Sequence, residues 1–371
     1  MPSTTKLVLT AGFAMFSMFF GSGNLIFPLL IGLKSQNLYV YSILGFSITA
    51  ICIPFLGLLG MMKFKGDHKK YFSILGEKLA FVLILLMLML IGPFGVIPRC
   101  VNVAFGGLEL MCPIFPLWLF SLIFCIFTGV LIWRPNNIVN IIGLILTPIK
   151  LGSYVLLIII GIWFAEPVIY SEMSASSSFF LGLSKGYQTM DLMASFFFAS
   201  TIYVYLKKAL PAEKNVDDKL IRMGILSSLF GAFLLLGCYV GLVLLGYLYS
   251  PFLDNVAQES MLVAIAQQTL GRYAGPFITT TLAVSCLATA TILAALFTDF
   301  LKEDICKNKI TRPQAIFATA IISFTLSLFG FESICNCLGY ILEWIYPFLM
   351  LFAIFQIVRK YTINQNLISR I

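Results

Sequence analysis

Charged residues are scarce in this chain. Asp, Glu, Lys and Arg make up 11% of the 371 residues, whereas 60% are hydrophobic, and the mean hydropathy is +0.99. Soluble domains carry roughly 25% charged residues, so the composition excludes an ordinary soluble fold and indicates a polytopic membrane protein. The length favours one integrated helical bundle over several separate globular domains.

Familiar catalytic and metal-binding patterns are also missing. The single histidine, His68, lies in a Lys-rich loop (KFKGDHKK), which favours a solvated surface residue over a proton relay. The nine cysteines include no CxxC pair, so neither a zinc site nor a disulfide framework is indicated. The sequence has no HExxH, no DxxD pair and no GxxxxGK[ST] loop. We therefore expect a protein that is not an enzyme, uses no organic cofactor, binds no nucleic acid and is not driven by ATP.

Ten apolar stretches can cross a bilayer as helices, which requires roughly 20 residues each. They cover about 7–33, 38–62, 79–110, 114–133, 138–165, 179–206, 222–249, 273–301, 314–330 and 333–358. Pro93 and Pro98 predict a kink in the third helix. An amphipathic stretch at about 252–270 is expected to lie on the surface before the eighth span.

Positive residues cluster in alternate loops. Loops 63–78, 207–222 and 302–312 are rich in Lys and Arg, whereas loops 111–113, 166–178 and 331–332 contain neither. Because Lys and Arg favour the cytoplasmic side, this asymmetry predicts an integral membrane protein with both termini in the cytoplasm. Lipid is then one partner, and the oligomeric state stays open.

The ten spans divide into two sets of five that would enter the membrane in opposite directions. We expect one transporter domain, 1–371, with a first five-helix repeat at 1–165, an inverted second repeat at 179–358 and a cytoplasmic tail at 359–371. An inverted repeat predicts that helix 6 is interrupted where helix 1 is interrupted.

Both interruptions are visible in the sequence. The first span contains FFGSGNLIFP at 19–28, with two glycines, a serine, an asparagine and a proline, and the sixth contains GYQTMD at 186–191. Free amides at a half-helix N-terminus suit a carboxylate, and carbonyls at a C-terminal end suit a cation. Paired breaks therefore indicate a transport site, with close helix packing by small residues as the alternative.

Four motifs resemble those of a known transporter family. They are similar to motifs of the branched-chain amino acid:cation symporters, the LIVCS or BrnQ-type carriers. The stretches that resemble that family's first-, third-, sixth- and eighth-helix motifs are, in this order, FSMFFGSGNLIFP (16–28), IGPFGVIPR (91–99), GYQTMDLMA (186–194) and SCLATA (285–290). The resemblance implies an all-α, LeuT-like 5+5 inverted-repeat fold with discontinuous helices 1 and 6. It also implies import of leucine, isoleucine and valine by symport with a cation, Na⁺ first of all.

The resemblance also implies site residues. The backbone at Gly21, Ser22 and Gly23 would receive the substrate carboxylate, and Asn24 would face the substrate or an ion. The sixth-helix motif would add Thr189 and Asp191. Three phenylalanines after this break, Phe196, Phe197 and Phe198, are candidates for an apolar side-chain pocket, and Phe196 is taken as the substrate contact.

A sodium site is implied between helices 1 and 8. Its ligands would be carbonyls near Ser17 and Phe20, a carbonyl near Ser285 and the hydroxyl of Thr289. These four residues are the predicted sodium set. The family motif has a threonine where this chain has Ala288, which removes one candidate hydroxyl. An H⁺-coupled or uncoupled permease with Asp191 as the coupling group is therefore the alternative.

Three charged residues within spans have open roles. Arg99 is either a gate partner or a residue at the aqueous interface, and Glu343 could act in a gate. Lys150, next to Pro148 in helix 5, either snorkels to an interface or replaces sodium with its amine. The family usually has about two more spans than the ten predicted here.

Overall fold

The computed structural model describes residues 4–133, 147–165, 173–209, 216–271 and 274–368. Every regular element within these ranges is helical. The α-helices are α1 (Thr4–Phe19), α2 (Ser22–Ser35), α3 (Tyr39–Ser47), α4 (Ile53–Lys63), α5 (His68–Phe72), α6 (Glu77–Ile91), α7 (Val96–Glu109), α8 (Leu117–Trp133), α9 (Thr147–Trp163), α10 (Ala175–Gln188), α11 (Asp191–Ala209), α12 (Val216–Leu248), α13 (Ser250–Leu253), α14 (Met261–Leu270), α15 (Ala274–Phe300), α16 (Arg312–Ser327) and α17 (Phe331–Ile368).

The helices have the length and composition of membrane spans. Continuous apolar stretches cover Ser22–Lys63, Glu77–Glu109, Asp218–Leu248, Ala274–Ile305 and Phe331–Arg359, and the pair α10–α11 forms a further stretch bent by 43°. Helices α1, α8 and α9 are shorter and apolar. The prediction of an all-helical polytopic membrane protein is therefore confirmed. The first part of the fifth predicted span, 138–146, lies outside the described residues.

Three details differ from or refine the sequence interpretation. The third span is split into α6 and α7 at residues 92–95, as its prolines predict. Helix α17 continues through most of the predicted tail, to Ile368. The expected surface stretch at 252–270 is wrong for α14, because six consecutive residues from Met261 to Ala266 are buried and this helix packs against α9 and α15.

The broken helices lie at the centre of the bundle. Helices α1 and α2 pack against α12, α10 packs against α3, and α11 packs against α4. Helix α7 packs along α15, while α9 contacts α1, α12 and α15. This arrangement surrounds both helix breaks with protein, which is where non-helical backbone is tolerated at membrane depth.

Candidate substrate and ion site

The first break changes the hydrogen bonds of helix 1. Helix α1 ends at Phe19, Gly21 is extended (φ −110°, ψ −153°), and α2 begins at Ser22. The amide of Gly21 donates to the carbonyl of Phe19 at 2.7 Å, whereas in a continuous helix it would donate to Ser17. The carbonyl of Ser17 is thereby released for other partners, and the first amides of α2 are left without helical acceptors.

The second break lies between α10 and α11. Helix α10 ends at Gln188, and Met190 has φ +62°, a left-handed conformation that is unfavourable for a residue with a side chain. The hydroxyl of Thr189 donates to the carbonyl of Gly186 at 2.8 Å and stabilises the end of α10. Helix α11 then begins at Asp191, where the positive end of the helix dipole favours a carboxylate.

Asn24 and Asp191 join the two breaks directly. The side-chain amide of Asn24 donates to Oδ2 of Asp191 at 2.6 Å and also to the hydroxyl oxygen of Tyr239. That hydroxyl lies 3.4 Å from Oδ2 of Asp191 and donates to it. Asp191 is only 3% exposed. The salt bridges found among the described residues do not include Asp191.

A small cavity lies where the breaks meet. Its wall includes six of the seven predicted substrate-site residues and Thr289 of the predicted sodium set. The lining residues are Met18, Phe19, Gly21, Ser22, Gly23, Asn24, Val96, Thr189, Met190, Asp191, Ala194, Phe198, Thr289 and Leu293. The cavity therefore has a polar side formed by the breaks and an apolar side formed by α1, α7, α11 and α15.

Phe196, the predicted substrate contact, does not line this cavity. Its ring lies 5.4 Å from the ring of Tyr71 and 5.3 Å from that of Phe72, between centroids, so it packs under α5. Phe198 lines the cavity instead, with its ring 5.0 Å from that of Phe19. Two residues along a helix rotate a side chain by about 200°, which is why the neighbouring phenylalanines face different surroundings.

The predicted sodium set comes together between α1 and α15. Ser285 donates through its hydroxyl to the carbonyl of Phe20 at 3.0 Å, and Thr289 donates to the carbonyl of Ser17 at 3.3 Å. The Nζ of Lys150 lies among these atoms, 3.2 Å from the Ser17 carbonyl, 3.3 Å from the Ser285 hydroxyl and 3.5 Å from the Phe20 carbonyl. Lys150 is 1% exposed and does not snorkel to an interface.

The other charged candidates have distinct surroundings. Arg99 is buried, its Nη1 donates to the carbonyl of Gln188 at 2.7 Å, and its guanidinium lies 5.7 Å from the centroid of the Phe27 ring. It therefore joins α7 to the end of α10 and does not reach the aqueous interface. Glu343 is exposed on α17.

His68 is not the solvated loop residue expected from its sequence. It is half-buried, and its ring centroid lies 5.6 Å from that of Phe197. Burial lowers the pKa of His68 below its ordinary value of 6.5, and the nearby Lys69 lowers it further, while Asp304 and Asp67 oppose this shift.

Tyr239 is the site residue that the sequence interpretation missed. It lies within an apolar stretch of α12, LLLGCYVGLVLL at 234–245. A tyrosine hydroxyl in such surroundings needs a hydrogen-bond partner. The sequence therefore indicates that Tyr239 has a polar partner within the bundle. It does not identify Asn24 and Asp191 as the partners.

Residues 4–371 match a family model described as branched-chain amino acid transport protein. The chain is 28% identical to the branched-chain amino acid permease BrnQ of Corynebacterium glutamicum, covering 92% of this chain and 78% of the relative. It is 29% identical to the branched-chain amino acid permease BrnQ of Bacillus subtilis, covering 87% and 76%.

Two solved structures share the fold. The inward-facing conformation of Mhp1 has a TM-score of 0.57 at 14% identity, covering 92% of this chain and 75% of that chain. MhsT in complex with L-phenylalanine has a TM-score of 0.59 at 16% identity, covering 92% and 87%. At these identities the similarity concerns the architecture alone, and it confirms the LeuT-like fold.

Proposed function

Because this chain belongs to the branched-chain amino acid transport protein family, we propose that it imports leucine, isoleucine and valine across a bacterial cytoplasmic membrane. The observation that carries the proposal is the meeting of the two helix breaks at one cavity, joined by the hydrogen bond between Asn24 and Asp191. Both termini would lie in the cytoplasm, as the loop charges predict.

The cavity offers a partner for each part of a zwitterionic aliphatic amino acid. The substrate carboxylate would accept hydrogen bonds from backbone amides at the start of α2, near Ser22 and Gly23. The ammonium group would pair with Asp191. The aliphatic side chain would contact Phe198 and Leu293, both of which line the cavity. Since an apolar pocket separates substrates that differ by one methylene by only roughly 10–200-fold, the three amino acids should compete.

Transport would proceed by alternating access. The interrupted helices would move relative to the scaffold that contains α7 and α15, opening the cavity to one side at a time. Arg99 would act in the gate, because it links α7 to the end of α10 through the Gln188 carbonyl. Release of this bond would accompany separation of the two helices.

A cation would be transported together with the amino acid. Na⁺ is the first candidate, since oxygens of Ser17, Phe20, Ser285 and Thr289 gather between α1 and α15. An H⁺-coupled or uncoupled permease is the second candidate, favoured by the buried carboxylate of Asp191 at the cavity. In either case, ion binding would favour the state that accepts substrate.

Uptake of radiolabelled leucine into proteoliposomes tests this function. An inward Na⁺ gradient, an inward H⁺ gradient and no gradient are compared, with protein-free liposomes as the control. We expect uphill accumulation under one cation gradient and competition by unlabelled isoleucine and valine. Failure to bind, exchange or accumulate any of the three amino acids would refute the proposed function.

A further inference from the structure

Two separate spaces in the bundle share a wall residue, Phe19. The first space is the cavity at the helix breaks. The second lies between α1, the second span (α3 and α4) and α12, and is called the lateral pocket. Its walls include Met15, Phe19, Ala50, Phe55, Gly231 and Ala232. Within the described ranges, Phe19 is the one residue that lines both spaces.

The cavity at the breaks is small for the proposed substrate. Its volume is about 10 Å³, and a space of roughly 10–15 Å³ holds a single water molecule. The side chain of leucine alone has four carbon atoms. Binding of leucine therefore requires at least one wall of this cavity to move.

Phe19 is the wall residue with space to move into. The polar side of the cavity is held by the hydrogen bond between Asn24 and Asp191. On the apolar side, Val96 and Leu293 belong to α7 and α15, which pack along each other. Phe19 is instead the last residue of α1, next to the first break, and it also borders the lateral pocket.

The lateral pocket suits an aromatic ring. Its volume is about 20 Å³, larger than that of the cavity, and the small residues Ala50, Gly231 and Ala232 leave this space open. The hydroxyl of Ser228 at its wall donates to the carbonyl of Gly224 at 2.6 Å. No polar partner is therefore needed from whatever enters the pocket, and burial of an apolar ring there is favourable.

The outer side of the lateral pocket reaches the surface of the bundle. Ile51, Phe55 and Ala232, which line it, are half-buried, so a ring that enters displaces lipid hydrocarbon and does not push against packed protein. The second span also contains a π-helical turn at Ile48–Cys52, next to this wall. Such turns occur frequently at functional sites.

We propose that Phe19 is a movable wall of the substrate site, and that its ring turns into the lateral pocket when a branched-chain amino acid binds. The space that the ring leaves takes the end of the substrate side chain, beside Phe198, whose ring lies 5.0 Å from that of Phe19 between centroids. The room in the lateral pocket limits this movement and thereby sets the largest side chain that is accepted. Aliphatic side chains of up to four carbons enter, and aromatic side chains are excluded.

This inference rests on the proposed function, and a panel of amino acids from alanine to tryptophan tests it. Phe19→Ala removes the ring and joins the two spaces. Affinities for purified protein are measured through thermal stabilisation. We expect phenylalanine to bind Phe19→Ala at least about tenfold more tightly than it binds wild type. The same ranking of amino acids in both proteins would overturn the inference.

Phe13→Ala is the matched control for Phe19→Ala. It removes the same number of atoms from the same helix, but the Phe13 ring packs on that of Phe230, 5.2 Å away between centroids, and lines neither space. We expect the wild-type ranking of amino acids in this variant. A gain in phenylalanine binding equal to that of Phe19→Ala would contradict a specific role of Phe19.

A second variant covers the case in which Phe19→Ala does not fold. Ala232→Leu fills the lateral pocket and blocks the movement of the Phe19 ring. Its affinity for leucine should fall about tenfold relative to that for valine, which is one carbon smaller. Ala318→Leu, at a half-buried alanine of α16 that lines neither space, is the matched control. Equal changes for leucine and valine in Ala232→Leu would contradict a movable wall.

A fluorine label reports the ring directly. para-Fluorophenylalanine is placed at position 19, and its fluorine NMR signal is recorded without substrate and at saturating leucine. We expect the signal to shift when leucine binds, and to shift less when Ala232→Leu is combined with the label. A signal that does not respond to bound leucine would overturn the inference.

The panel also separates the two proposals. If wild type binds no branched-chain amino acid, the proposed function fails, whereas a shift toward larger side chains in Phe19→Ala still supports the movable wall. If wild type binds branched-chain amino acids and Phe19→Ala has the same ranking, the function stands and the inference fails. Binding of no amino acid to either protein refutes both.

Discussion

The side-chain amide of Asn24 donates a 2.6 Å hydrogen bond to the carboxylate of Asp191, linking helix breaks that lie 167 residues apart in sequence. Tyr239 contacts both side chains from α12. The two half-helices that begin at these breaks therefore present their N-terminal ends around one buried acid. This geometry underlies the predictions on substrate binding that follow.

Replacing Asp191 by Asn should weaken leucine binding at least about tenfold, which corresponds to about 1.4 kcal/mol. The substitution keeps the shape of the side chain and removes the negative charge that would face the substrate ammonium. Binding of radiolabelled leucine to purified protein measures the effect. Asp254→Asn, at an exposed acid, is the control, and wild-type affinity in Asp191→Asn would refute the assignment.

Phe198→Ala should change the relative affinities for leucine, isoleucine and valine, because this ring lines the cavity. Phe196→Ala removes the same number of atoms from the same helix, but its ring packs on Tyr71 and Phe72. It should lower the free energy of unfolding by about 3–5 kcal/mol and leave selectivity unchanged. Competition binding and thermal unfolding measure the two effects. The opposite pattern would return Phe196 to the substrate site.

Gly21→Ala should abolish leucine transport. A Cβ atom at this position would lie 2.9 Å from both Cγ2 and Oγ1 of Thr289, so helix 1 would be pushed away from α15. Gly152→Ala is the matched control, because its Cβ would meet nothing within 4 Å and a helical Gly→Ala change stabilises by about 1 kcal/mol. Proteoliposome exchange measures both variants, and full activity of Gly21→Ala would contradict this close approach.

Arg99→Lys should slow transport more than it weakens binding. Lysine lacks the rigid guanidinium fork, so the bond to the Gln188 carbonyl is expected to be lost, at about 1.5–3 kcal/mol for a charged donor. Leucine exchange rates and equilibrium affinities are measured side by side. Arg222→Lys, at an exposed arginine on α12, controls for the substitution. A fall in affinity with an unchanged exchange rate would place Arg99 in substrate binding.

His68 should make the segment around α5 sensitive to acid. Its pKa is lowered by burial, so between that lowered value and 6.5 the folded segment binds fewer protons than the unfolded one. Its stability is then fully present above pH 6.5 and is lost as the pH falls toward the lowered pKa. Hydrogen exchange of residues 66–75 should accelerate as the pH falls below 6.5, after correction for the intrinsic rate. His68→Gln should remove most of this dependence, and an equal response in both proteins would contradict it.

The helix breaks could be predicted because their causes are local. Glycine weakens a helix wherever it lies, and Gly21 is extended at the first break, whereas Pro28 lies inside α2. The motifs around both breaks identified the family. Six of the seven predicted substrate-site residues line the cavity for the same reason. Phe196 does not line the cavity and Phe198 does. Three consecutive phenylalanines look alike in sequence, and the rotation of α11 against its neighbours decides which of them faces the cavity.

The sequence by itself determined the membrane class, the two breaks and the oxygen atoms that those breaks release. The tertiary structure decided what those oxygens contact. Lys150 reaches the Ser17 carbonyl across 133 residues of sequence, and Tyr239 reaches Asp191 across 48. Such contacts depend on how α9 and α12 are rotated and seated against α1 and α11, and composition and periodicity along a single helix do not specify that packing.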